Sequence, residues 1–380
     1  MSIKVVQIIA NTNKSLAFEI VAKGFKENNI DVTYFLLQKE ESEFSKFLEL
    51  IGIKFYIIPI DGKINISKSF FKIFYLLVRI RPKIVHTHLR EANLIGLTIS
   101  SFLFIPNRIY TRHHSTSNIE YHPDAVKWDR YTNYLSTHIV SISQNVTNVL
   151  TERENVSLRK ITLIPHGFNI DKFKHTNEQK TNSLKVKYNI KGDSYPIIGV
   201  ISRYIHLKGL QHIIPAFSEL KKIYPKAYLV LANAIGSDSN EIKNMLADNL
   251  KQEDYLEIAF ESDLYHLYGV FDFFVHTPIN NEVEAFGQTY VEALAAGVPS
   301  VFTLSGIAND IIINENNALV VAHKSSTEIF NALQRLIKDD SLRNKIIENG
   351  EKTVQCFSGE LYVENHLNLY KKLCHPKDKK

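Results

Sequence analysis

Short, almost wholly apolar runs followed by segments of helical apolar spacing recur along the 380 residues, and this alternation is the tightest constraint on the fold. In the first half, Ile3–Ile9, Val32–Leu37, Ile53–Ile58, Lys83–Thr87, Arg108–Thr111 and Ile139–Ser141 read as strands. Between them, Leu16–Lys26, Phe44–Leu50, Lys68–Arg79 and Ala92 to about Phe102 read as helices. The pattern restarts at Ile197–Ile201 and continues with strands at Ala227–Ala232, Leu256–Ala259, Asp272–Val275, Ser300–Thr303 and Ala318–Val321. The expected helices there are Leu210–Ile223, Asn240–Leu250, Gln288–Ala296 and Ser325–Ile337. Strands that are apolar on both faces and alternate with helices imply parallel sheets covered on both sides. The expected architecture is therefore α/β, with two doubly wound parallel-sheet domains at 1–165 and 197–357. Residues 166–196, polar around HTNEQKTNS, are the expected linker. Two such sheets offer a ligand cleft at their strand carboxyl ends.

Composition excludes several classes. Hydrophobic residues make up 44% and charged residues 22%, which rules out a disordered, collagen-like or coiled-coil chain. Two cysteines, Cys356 and Cys374, cannot make a disulfide framework and suit a reducing compartment. The start MSIKVVQIIA lacks the charged region and long apolar core of a signal peptide. The uncharged stretch Ala92–Asn107 is interrupted by Asn93, Gly96 and Ser100 and falls short of the ~20 apolar residues a span needs. A cytoplasmic protein is expected, with work at the inner membrane face as the alternative. Residues 1–165 carry 21 Lys+Arg against 14 Asp+Glu, and the remainder 24 against 26. A basic first half suits peripheral contact with an anionic membrane or a phosphorylated acceptor, or reflects chance asymmetry on solvated faces. RNA-recognition signatures and zinc-finger spacings are absent, so no nucleic-acid partner is expected. The stretch SFFKIFYLLVRIRPK (Ser69–Lys83) reads first as a core helix with a basic end, and second as a contact for an anionic membrane. The tail HPKDKK reads as frayed.

Two segments carry candidate chemistry. In GVISRYIHLKGL, Arg203 and Lys208 lie five apart on a loop between a strand and a helix, and Gly209 permits close backbone approach. A guanidinium and an ammonium at a helix entrance make an anion site; by spacing alone, two surface cations in an ordinary loop are the favoured reading. In NNEVEAFGQTYVEALAAGVPSV, Glu284 and Glu292 flank Phe286-Gly287 near a helix start. A glutamate can accept hydrogen bonds from two vicinal hydroxyls, though glutamates near a helix start also simply complement its dipole. His86, His88, His113 and His114 lack a surrounding cysteine or carboxylate set, so no metal site is expected. No Gly-x-Gly-x-x-Gly follows the first strand, which disfavours a dinucleotide oxidoreductase.

Taken together, Arg203–x4–Lys208–Gly209 and Glu284–x7–Glu292 resemble the donor half of retaining glycosyltransferase family 4. IPHGFNIDKF (Ile164–Phe173) resembles that family's linker motif, with His166 where asparagine is commoner. HTHLREANLIG (His86–Gly96) and YTRHH (Tyr110–His114) resemble its acceptor-domain motifs, and SGIANDII (Ser305–Ile312) its loop with two glycines and a glutamate. The resemblance covers nearly the whole chain and is strongest from Gly199 to Val321.

The resemblance implies the GT-B fold, two Rossmann-like domains facing across a cleft. The first would bind the acceptor and be closed by a C-terminal helix at about 358–375; the second would bind the donor. It implies that Arg203 and Lys208 clamp the donor diphosphate, that Glu292 binds the ribose, and that Glu284 contacts the transferred sugar. Gly209 and the backbone of Phe286, Gly287 and Gln288 would assist. His113, or His114 in the other register, would line the reaction centre, with Asn13 on the acceptor side. The first loop departs from the family: Asn11-Thr12-Asn13-Lys14 replaces a Gly-Gly pair. Asn309-Asp310 stand where a glutamate is usual.

The implied reaction is retaining transfer of a sugar from a UDP- or GDP-linked donor to a glycan or lipid-linked acceptor in surface glycan biosynthesis. The chain has no Asp-x-Asp, Asp238-Ser239-Asn240 being the nearest. Arg203 and Lys208 would take the metal's role, and no metal or other cofactor is expected. Two alternatives stay open: an epimerase or hydrolase of nucleotide sugars on the same fold, and a non-catalytic nucleotide-sugar-binding protein.

Overall fold

The computed structural model describes residues 3–60, 62–174 and 177–374. The tail HPKDKK, and His175-Thr176 at the head of the expected linker's polar centre, lie outside the described residues. The chain divides into two compact units, Met1–Phe168 with Phe357–Lys380, and Asn169–Cys356.

The first unit holds strands β1 (Lys4–Ala10), β2 (Asp31–Leu37), β3 (Phe55–Ile57), β4 (Ile84–His88), β5 (Asn107–Arg112), β6 (His138–Ser141) and β7 (Ile161–Leu163). All pair in parallel, in the order β3-β2-β1-β4-β5-β6-β7. β1, KVVQIIA, shows why the sheet is double-sided. Val5 and Ile9 enter one core with Val32, Tyr34 and Leu36, whereas Val6, Ile8 and Ala10 enter another with Phe35 and Leu37. The period of two sends alternate side chains to opposite faces, and both faces are apolar. The last helix, Gly359–Cys374, completes the first core through Tyr362, Val363, Leu367 and Tyr370. It approaches the helix Leu16–Glu27 so closely that a Cβ on Gly24 would lie 2.4 Å from Val363 Cγ2.

The second unit holds β8 (Ile197–Ile201), β9 (Tyr228–Ala232), β10 (Tyr255–Ile258), β11 (Phe273–His276), β12 (Ser300–Phe302) and β13 (Leu319–Val320). They also pair in parallel, in the order β10-β9-β8-β11-β12-β13. In both sheets the strand order reverses beside the first strand of the unit, between β1 and β4 and between β8 and β11. In open α/β sheets that reversal is where loops part and ligands bind.

Within the expected linker, 166–196, two helices form, Ile170–Lys174 and Glu178–Lys187, and from Asn169 onward the stretch belongs to the second unit. Ile170–Lys174 packs Phe173 against Tyr265, with ring centroids 4.5 Å apart. Glu178–Lys187 is capped by Asn177, whose side chain accepts from Lys180 N at 3.2 Å. It buries only Thr181 and Leu184, so it lacks the apolar stripe that makes a helix legible. Among the described residues no helix is long and apolar enough to cross a membrane.

Candidate functional site

In the second unit, three neighbouring strands deliver the polar groups from their carboxyl ends. Arg203 follows β8, His276 ends β11, and Ser305 follows β12. β8 gives way to a short 3-10 turn, His206–Lys208, and then to Gly209 with φ +79°, the N-cap of the helix Leu210–Ile223. A Cβ on Gly209 would lie 1.9 Å from the Thr277 carbonyl oxygen, so only glycine fits. Gly209→Ala is expected to cost about 3 kcal/mol or more in stability, from the strained φ and the clash together, measured by urea unfolding.

This close approach of β8's loop to β11 brings Lys208 onto Glu284. The Lys208 ammonium donates to Glu284 Oε1, and His276 Nε2 lies 3.1 Å from the same oxygen. The Glu284 N–H donates to Ser305 Oγ at 3.0 Å. Gly306, at φ +58°, lies against the same loop, where a Cβ would sit 2.6 Å from the Phe286 carbonyl oxygen. Burial works to raise the Glu284 carboxyl, but the Lys208 ammonium and His276 outweigh it and hold the group well below the usual carboxylate range. Burial lowers His276, so a neutral ring donates from Nε2 to the carboxylate. Its Nδ1 then has no hydrogen-bond partner among the described residues.

Arg203 is exposed and stands outside this network. Glu292, one turn inside the helix Gln288–Ala295, is buried and accepts from Tyr268 Oη at 2.9 Å. Burial pushes its carboxyl up to about 7, against the opposing pull of that hydrogen bond. Gly287 caps this helix at φ +82°, and the side chain of Phe286 is buried, its carbonyl accepting from Ile307 N at 2.8 Å. Gln288 is exposed.

In the first unit the candidates separate into two environments. His113 belongs to a cluster of imidazoles. Its Nε2 lies 3.3 Å from His88 Nδ1, and its ring stacks on His166 with centroids 5.6 Å apart. His86 and His88 lie 4.3 Å apart by centroid, and His366 of the last helix stacks on His86 at 5.9 Å. Gln7 and Tyr370 tie the cluster together, with Gln7 Oε1 2.9 Å from His88 Nε2 and Tyr370 Oη 2.7 Å from His86 Nδ1. Burial lowers all five; His113 falls to about 3 and His166 and His366 to about 4, so these rings are neutral at physiological pH. Among the described residues no group of three or more His, Cys, Asp or Glu is arranged to hold a metal ion.

His114 points elsewhere. Its Nε2 lies 3.1 Å from Asp129 Oδ2, and Asn118 Nδ2 donates to the same oxygen at 2.8 Å. Arg112, almost fully buried, is ion-paired to Asp129 at 3.2 Å and to Glu154 at 2.5 Å, and its Nε donates to the His114 carbonyl at 3.1 Å. These contacts fix the loop after β5 and wall a cavity of about 280 Å³, lined also by His113, Asn93 and Trp128. Asn13 is committed to a neighbouring helix, Glu43–Leu50: its Oδ1 accepts from Glu43 N at 3.2 Å. Asn11 takes φ +47°, a left-handed conformation that asparagine tolerates.

Two family models cover most of the chain. Residues 182–353 match the model for glycosyl transferases group 1, and residues 19–172 that for glycosyltransferase family 4. The chain belongs to glycosyltransferase family 4. The capsular polysaccharide biosynthesis glycosyltransferase CapM of Staphylococcus aureus is 27% identical over 341 residues, covering 83% of this chain and 84% of CapM. The alpha-monoglucosyldiacylglycerol synthase of Acholeplasma laidlawii is 24% identical, over 80% of this chain and 78% of that enzyme. The structure of HepE from Anabaena, in complex with UDP and glucose, superposes with a TM-score of 0.83 at 17% identity, covering 97% of this chain and 99% of HepE. A glycosyltransferase from Rickettsia africae gives 0.82 at 21% identity, over 99% and 100% of the two chains. The fold of this transferase is thus GT-B, two Rossmann-like parallel-sheet units.

Sequence reasoning missed His276, Ser305 and Tyr268. His276 ends an apolar strand, FFVH, at a sheet's carboxyl edge, and a polar residue there was the available signal. Asp129 and Asn118, in the loop and short helices after β5, offered no spacing signal.

Proposed function

We propose that this transferase moves a sugar from a nucleotide-diphosphate donor to a hydroxyl acceptor, retaining the anomeric configuration and using no metal ion, in surface glycan assembly. The observation that carries the reading is Glu284 held between Lys208 and His276 at the strand reversal beside β8. In this reading the ammonium, kept by a buried carboxylate, shifts part of its hydrogen bonding to the incoming diphosphate, and the exposed Arg203 joins it. Fixed cations then take up charge as the C–O bond to phosphate breaks. A phosphate oxygen that gains charge accepts the acceptor's proton as its hydroxyl oxygen bonds to the same face of the sugar. Glu284 and the backbone of Phe286–Gln288 hold the sugar, and Glu292 the ribose. The first unit supplies the acceptor site, with His113 and the cavity beside His114.

The bound UDP of HepE supports a uridine nucleotide as donor. The similarity to CapM, a capsular polysaccharide biosynthesis glycosyltransferase, and to the Acholeplasma alpha-monoglucosyldiacylglycerol synthase supports a glycan or lipid acceptor. A panel of UDP-, GDP- and ADP-sugars, screened by thermal shift, names the donor. Transfer with that donor is expected to be unchanged by EDTA, with the donor's anomer preserved in the product by NMR. Loss of activity restored by manganese refutes the metal-free step, an inverted anomer refutes retention, and donor turnover without any acceptor favours a hydrolase or epimerase.

A further inference from the structure

The helix Gly62–Ile80 resolves the two readings of Ser69–Lys83 by having two stripes. Ser69, Ile73, Leu76 and Leu77 are buried, the last three in the core beneath the first sheet. The opposite stripe carries large apolar side chains facing solvent. Phe71 is 70% and Tyr75 61% exposed, with Val78 one turn further on. The neighbouring helix, Arg90–Phe102, adds to this face, since the Phe102 ring lies 6.0 Å from that of Phe74. Phe102 is 71% and Phe104, in the turn just beyond, 87% exposed. Single exposed apolar residues are ordinary, but aromatics gathered on one helix stripe and the adjoining turn are not.

The charge around these rings has one sign. Lys68, Lys72 and Arg79 are exposed on the same helical stripe, spaced among Phe71, Tyr75 and Val78. From Gly62 to Arg90 the sequence has seven Lys and Arg and no Asp or Glu. An aromatic stripe flanked by cations is what an interfacial helix needs: rings enter the headgroup boundary while long basic side chains reach anionic lipid phosphates. We propose that this face of the first unit docks on an anionic lipid bilayer. The proposal deepens the reading above by naming the surface on which an acceptor would be met, and it rests on that reading only for its purpose.

The test uses the full chain and sedimentation with vesicles of phosphatidylcholine alone or with about 30% phosphatidylglycerol. The protein is expected to pellet with the anionic vesicles and not the neutral ones, and binding should fall as salt is raised. Phe71→Ser with Tyr75→Ser, and separately Lys68→Glu with Lys72→Glu, should each lower the bound fraction at least about tenfold. Both double variants should keep the wild-type thermal shift with UDP. Equal binding to neutral vesicles, or variants that bind like the wild type, overturns the proposal. So does a dimer on size exclusion that Phe71→Ser with Tyr75→Ser dissolves, because a second copy then covers the face. Wild-type protein that fails to bind anionic vesicles while its UDP response is intact removes this surface and leaves the transferase reading standing; wild-type protein that binds them without a UDP response removes the donor reading and leaves the surface.

Discussion

Arg203→Ala is expected to slow sugar transfer about a hundred- to a thousandfold while leaving the melting temperature unchanged. Arg203 is exposed and joins no ion pair among those described, so its removal uncovers nothing. Lys208→Ala should slow transfer as much, but it should also destabilise. Its ammonium is the chief group that offsets the burial of Glu284. Removing one member of a buried pair leaves an uncompensated charge, at about 3 kcal/mol or more. The sign with pH follows from the depressed carboxyl. Glu284 contributes stability above its unfolded value of 4.5 and loses it as pH falls through its lower folded value. The gap between wild type and Lys208→Ala should therefore be widest near neutral pH and shrink in acid. Urea unfolding at two pH values, beside a transfer assay, separates the two effects. A near-normal rate for Arg203→Ala removes the guanidinium from the leaving-group role, and a Lys208→Ala variant that is merely less stable removes the ammonium.

The sheets were legible because their strands are apolar on both faces and leave the sequence little else to form. Ile197–Ile201 and Leu210–Ile223 were read to the residue, and most other elements to within two. What escaped was polar or short. Glu178–Lys187 has almost no amphipathic stripe, β7 is a three-residue strand at the sheet edge, and the short helices around Asp129 depend on tertiary contacts. The site divides in the same way. The spacing of Glu284 and Glu292 and the cation pair are local signals, so they can be read along the chain. That Lys208 meets Glu284, 76 residues away, depends on Gly209 letting β8's loop touch the backbone of Thr277. Pattern also hid the difference between the two glutamates. One is ion-paired and held low, whereas the other is buried beside a tyrosine and pushed high. The two histidines of YTRHH likewise look equivalent in sequence, yet one enters an imidazole stack and the other a carboxylate network.

The raised carboxyl of Glu292 leads to a variant that should gain stability and lose affinity together. Burial lifts the group from 4.5 to about 7, even with Tyr268 donating to it. A carboxyl raised by folding binds its proton more tightly in the native state than in the unfolded chain. Its contribution is therefore favourable below the unfolded value and is lost as pH rises through the folded one. The difference of 2.5 between those values corresponds to about 3 kcal/mol of cost above pH 7, at roughly 1.36 kcal/mol per unit. Glu292→Gln keeps the shape and still offers an oxygen to the Tyr268 hydroxyl, but it never has to ionise. Its stability should exceed the wild type's by up to about 3 kcal/mol at pH 8, and the two should converge toward pH 4.5. Nucleotide affinity should fall about tenfold or more, because a carboxylate that can serve both ribose hydroxyls has become an amide with one acceptor oxygen. Such opposition is expected where a site keeps an unfavourable charge for its ligand. Melting curves across pH, with and without UDP, test both halves. A stability difference that does not change with pH shows that Glu292 is not held high, and an undiminished UDP shift removes it from the ribose.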